Sequence, residues 1–93
     1  MWSPVFITAK AVIWSVFMDY MKKISLMVKE HRKAIGLTQL ELANIAGVGK
    51  TSIFDIEKAK QSIRFDNLVK VLDALNIKIE LTSSYEGINN EKA

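Results

Sequence analysis

The segment GLTQLELANIAGVGKTSIFDIE, residues 36–57, constrains this chain more than any other. It carries two short apolar-periodic runs punctuated by Gly36, Gly47 and Gly49. Thr38 with Glu41 three residues on has the spacing of a capping box, so a helix starts at Gln39 and runs to about Ala46. Gly47 ends it, Val48 plugs the turn, and Gly49 opens another helix that reaches about Lys58. Helices this short do not persist alone in water, so neighbours must clamp the pair at a fixed angle. Two such helices joined by a tight turn are the smallest arrangement that presents one helix face to a groove about 12 Å wide, the DNA major groove. With Val48, Ile53 and Ile56 turned inward, the outward positions of the second helix are Lys50, Thr51, Phe54, Asp55 and Lys58.

The flanks supply the clamp. From Met21 to Ile35, helical spacing sets Ile24, Met27 or Val28, His31 and Ile35 on one face, with Lys22, Lys23, Lys29, Glu30 and Lys33 opposite. His31 is expected as a packed core histidine and the lysines as a solvated face. In the next helix, Leu40 and Ala43 are expected inside, with Leu42 beside them. After a polar link at 59–62, residues 65–75 repeat Leu68, Val71, Leu72 and Leu75 at i, i+3, i+4 and i+7, and Asn76 stops that helix. IKIELT then alternates, with Ile77, Ile79 and Leu81 on one side, which predicts a strand. A lone strand leaves backbone groups unpaired, and the same strand from a second copy, antiparallel across a two-fold axis, is the simplest partner. The expected layout is an apolar extension over 1–20, a domain over 21–82 and a mobile polar tail over 83–93.

The extension, MWSPVFITAKAVIWSVFMDY, differs in character from the rest. Ser3 and Pro4 suit an N-cap and first helical position. The apolar run is short for a bilayer and has Lys10 near its centre, and no signal-peptide pattern is evident. It reads either as a segment outside the domain, translated from an upstream start, or as an apolar helix that packs on a partner or on the dimer.

Composition removes most chemistry. The 93 residues include no cysteine and a single histidine, so disulfides, thiolate catalysis and His- or Cys-rich metal sites are excluded. A reducing cytoplasm, about the nucleoid, is the expected location, with no membrane, metal or cofactor involved and no enzymatic activity. Thirteen Lys+Arg against ten Asp+Glu give a formal +3, compatible with a polyanionic partner without demanding one. GVGKT at 47–51 has the look of a phosphate loop, but Asn44 stands where the leading glycine belongs and ELANIA is helical rather than a buried strand.

Together GLTQLELA, AGVGKTSIFDIEKAK and FDNLVKVLDALNI resemble the repressor fold of phage Cro and repressor proteins, the XRE family, from about Val28 to Ile77. The final helix running straight into a strand resembles, more narrowly, HipB-type antitoxins. The resemblance implies an all-α, lambda-repressor-like domain of four or five helices, with one C-terminal strand pairing across a dimer through Ile77, Ile79 and Leu81. It implies a sequence-specific repressor of a palindromic operator in double-stranded DNA, autoregulating its promoter, with a HipA-type kinase toxin as a further partner. The alternatives are a repressor with no toxin, or an interaction module that neutralises a toxin without touching DNA. Thr38 and Gln39 are the implied phosphate contacts; Gly49, Lys50, Thr51, Phe54, Asp55 and Lys58 form the base-reading face; Arg64 replaces a usual capping serine and is a further phosphate contact. Asp55 departs from the family's common choice: it either accepts from cytosine or repels phosphate. The matching pair Arg32 and Glu57 is implied to be a buried ion pair between the first and third helices.

Overall fold

The computed structural model describes the backbone of residues 4–85 and the side chains of residues 10–85. Four helices follow one another: α1 Pro4–Ile35, α2 Gln39–Ala46, α3 Lys50–Glu57 and α4 Phe65–Ala74. Their ends are written in local chemistry. At Gly36, with φ of +88°, the amide donates to the Arg32 and Lys33 carbonyls and closes α1. Thr38 Oγ1 accepts from Glu41 N while Glu41 Oε1 accepts from Thr38 N, a complete capping box. Gly47, at φ of +77°, ends α2 with its amide on the Ala43 carbonyl. Asn76 performs the same turn after α4 at φ of +62°, a conformation asparagine tolerates better than most residues.

One core holds the helices. Val28 of α1, Leu42 and Ala43 of α2, Ile53 and Ile56 of α3, and Leu68, Val71, Leu72 and Leu75 are buried together. Helix α3 packs on α1, α2 and α4, so the outward face of this short helix rests on a platform made by the other three.

Three sequence expectations need correction. Helix α1 starts at Pro4, the expected first helical position, and runs on across residues 20 and 21; among the described side chains, full burial starts at Met21. The proposed cap Ser3 lies outside the described residues. The inner stripe of α1 is Met21, Val28 and Arg32, with Ile24 and Ser25 half-buried; His31 and Ile35 are exposed. The stripe advances by four from Val28 to Arg32, which turns His31 outward, where its Nδ1 lies 2.8 Å from the Met27 carbonyl. In α2 the cap at Thr38 fixes the helix phase so that Leu42 and Ala43 face inward and Leu40 is exposed.

Residues 77–82 form no strand, and no other strand occurs among the described residues. Within a single chain the segment has no ladder partner. Ile77 is half-buried against the core, Ile79 is exposed, and Leu81 is 90% exposed. Of the expected tail, residues 86–93 lie outside the described residues.

Candidate nucleic-acid interface

The seat of α3 is built around a single carboxylate. Glu57, its last residue, receives Arg32 Nε at 2.7 Å on Oε2 and Arg32 Nη2 at 3.0 Å on Oε1. Both side chains are nearly buried. Arg32 Nη1 donates to the Leu37 carbonyl at 2.8 Å, which ties the pair to the α1–α2 link. Gln39 Nε2 donates to Glu57 Oε1 at 3.1 Å, and Ser25 Oγ donates to the Glu57 backbone carbonyl at 2.6 Å. Burial alone would raise the Glu57 pKa, but hydrogen bonds from Arg32 and Gln39, with the charges of Arg32 and Lys29, hold it below the ordinary glutamate value. The Glu57 hydrogen bond in turn raises the Arg32 pKa against the opposing effect of burial.

Above this seat, Lys50 and Thr51 are exposed, and Phe54 is 47% exposed. Together with Gln39 they line a shallow groove between α2 and α3. Lys58 lies over the Phe54 ring, its Nζ 5.4 Å from the centroid. A cation above an exposed aromatic steadies both side chains on the outer face. Gly49 precedes the helix without a side-chain cap, and Thr38 is spent on its capping box.

Three residues sit differently from a purely outward disposition. Gln39 is half-buried and committed to Glu57. Asp55 is half-buried, with Oδ1 3.6 Å from Lys60 Nζ, and lines a cleft shared by Ser52, Ser62, Arg64 and Asn67 rather than the groove beside Lys50. Arg64 is exposed at the start of α4 and grips Asp66 at 2.8 Å. That contact holds the Asp66 carboxyl below its ordinary range. Ser25, Asn67 and Lys60 were missed from sequence. Ser25 carried a signal, since it lies on the stripe of Met21, Val28 and Arg32; Asn67, whose Nδ2 meets Ser52 Oγ at 3.3 Å, carried none.

Among the described residues no group of three His, Cys, Asp or Glu side chains could hold a metal ion, and no helix is long and apolar enough to cross a membrane.

Residues 28–81 match the helix-turn-helix family HTH_3. The chain is 28% identical to control protein C.SmaI of Serratia marcescens over 76 residues, which covers 82% of this chain and 90% of that protein. It is 38% identical over 58 residues to the cryptic phage CTXphi transcriptional repressor RstR of Vibrio cholerae, covering 62% of this chain and 52% of the repressor. Among solved structures, a chain of the HipA-HipB-O2-O3 complex superimposes with a TM-score of 0.61 at 23% identity, over 70% of this chain and 92% of that one.

Proposed function

The chain belongs to the helix-turn-helix family, and from that premise we propose that it is a repressor that reads a palindromic DNA operator as a homodimer. The observation that carries this function is the outer face of α3: Lys50, Thr51 and Phe54 stand exposed on a helix fixed from behind by three others. Lys50 donates to guanine O6 and N7, while the Thr51 methyl and the Phe54 ring meet a thymine methyl. Gln39, at the start of α2, faces the phosphate backbone with the helix's N-terminal amides, and Arg64 adds a second backbone contact. Asp55 is set back in its own cleft and paired with Lys60, and takes no part in the base-reading face. The names of RstR, a transcriptional repressor, and of C.SmaI, a control protein, support a regulatory role.

Dimerisation through residues 77–82 is part of the proposal. Phe65, Val69, Leu72, Ile77, Ile79 and Leu81, edged by Asp73, Asn76 and Lys78, line a largely apolar groove of about 460 Å³ along α4. A symmetry-related strand would give the backbone of residues 78–82 a ladder partner and cover that groove, with the two α3 helices about 34–36 Å apart, one turn of DNA. The fold likeness to a chain of the HipA-HipB-O2-O3 complex supports extending the role to an antitoxin that holds a HipA-type kinase. Co-purification of such a kinase from the native host tests that extension.

Lys50→Ala tests the DNA function directly. Because Lys50 is exposed, its melting temperature should match wild type, while affinity for a duplex selected from a randomised pool falls by about 1–3 kcal/mol and base preference relaxes. Unchanged affinity and preference would move the base-reading role away from α3.

A further inference from the structure

Glu57 lies beneath the outer face of α3, yet one of its oxygens reaches a residue of α2 that borders the same groove. Its Oε1 accepts from Gln39 Nε2 at 3.1 Å as well as from Arg32 Nη2 at 3.0 Å. Gln39 is the first residue of α2 and shares a groove with Lys50, Thr51 and Phe54. A glutamine at a helix start ordinarily has many rotamers, and fixing one on DNA binding carries an entropic cost. Here the carboxylate has already fixed it. One amino hydrogen points to Glu57, which leaves the second as the donor available to an incoming anion.

We propose that Glu57 is a positioning residue for DNA: its carboxylate presets the Gln39 amide and so keeps the backbone contact on α2 in register with the base-reading face of α3. This rests on the DNA-binding function proposed above. The two helices touch the duplex at different places, and their separation is fixed only if the side chains that make contact are fixed as well. Glu57 is the one carboxylate here that joins α1, α2 and α3, through Arg32, Gln39 and its own backbone. Arg32 holds the carboxylate, and the carboxylate holds the amide. The arrangement therefore has a role separable from stability: an uncharged acceptor at position 57 could orient Gln39 without any ion pair.

Two full-length double variants separate these roles. Arg32→Met with Glu57→Gln removes the ion pair but retains an acceptor for Gln39, whereas Arg32→Met with Glu57→Leu removes both. Each is titrated, over a range of salt, with the duplex that wild-type protein selects from a randomised pool. The Gln variant should bind within about threefold of wild type, whereas the Leu variant should lose about tenfold at the same salt slope, because the neutral Gln39 amide displaces no counterion. Adding Gln39→Ala should weaken the Gln variant and leave the Leu variant unaffected, since contacting residues are non-additive. Equal affinities for the two doubles, or an additive effect of Gln39→Ala, would overturn the inference while leaving DNA binding intact. Failure of wild-type protein to select any duplex would overturn DNA binding itself, and the inference with it. If either double fails to fold, wild-type protein decides by NMR. The Gln39 side-chain amide proton directed at Glu57 should exchange more slowly than its geminal partner in the free protein, and the partner should shift on adding duplex. Equal exchange of the two protons, or no shift on adding duplex, would overturn the assignment.

Discussion

Arg32 shows how little of a charged residue's role its type reveals. Periodicity makes it one more cation on a basic helix, and only the family resemblance implies its pairing with Glu57; in the fold it is the one charged side chain on the described inner stripe of α1, and its reach is inward. Removing it strands Glu57 without its main partner, so Arg32→Ala should destabilise the domain by about 3–5 kcal/mol in denaturant melts. Arg32→Met with Glu57→Leu should cost much less, because neither charge is then left alone. A loss for the single variant below about 1 kcal/mol would mean the pair behaves as if solvent-exposed. The same pair sets an acid limit. The folded Glu57 pKa lies below its ordinary value of 4.5, so its contribution is fully present above that pH and is lost as pH falls through the folded value. Stability measured at progressively lower pH should therefore fall more steeply for wild type than for the double variant. Asp55 carries the opposite lesson. Position on the helix marked it as outward, but only the neighbouring link, through Lys60, shows that it is drawn back into a cleft.

Among the elements, α2 was legible from its chemical boundaries, and α3 and α4, which start without a side-chain cap, from their apolar spacing. Thr38, Glu41 and Gly47 leave α2 only one frame, and Thr38→Ala should cost about 1 kcal/mol by removing the cap. Gly47→Ala is a cleaner probe of the turn: an added Cβ meets nothing within 4 Å, so any loss comes from the backbone at φ of +77°. About 1–2 kcal/mol is expected in a thermal melt, with Gly47→Asn milder. Helix α1 was less legible. Its apolar residues surround much of its circumference, so periodicity alone does not choose between neighbouring stripes, and His31 and Ile35 were assigned inward where Arg32 belongs. No residue inside α1 marks where the domain begins; among the described side chains, burial is complete at Met21 and partial at Met18, which faces the 59–62 link. Trp14 and Phe17, with ring centroids 5.5 Å apart, rest largely on one another and on solvent. A chain starting at Met21 should therefore melt within a few degrees of the full chain and show less self-association in light scattering. A large drop in melting temperature would mean that residues 1–20 stabilise the domain.

For the whole molecule, the fold of one subunit leaves Ile79 and Leu81 exposed, and the proposed dimer is what would shelter them. The strand was expected from alternation, which reports the side chains a segment offers; whether a ladder forms depends on a partner that one chain does not supply. Ile79→Pro should yield monomers in sedimentation and abolish tight operator binding while helicity survives, since proline removes an amide from the ladder. A variant that remains dimeric would shift the contact to the helices. The projecting start of α1 has its own consequence. The radius of gyration is 16.6 Å and the extents are 54 × 35 × 21 Å, where a compact chain of this length has a radius of about 12 Å. Such a body does not tumble as a sphere. Rotation about the long axis is faster than rotation end over end, so nuclear spin relaxation should differ between amides aligned with α1 and those lying across it.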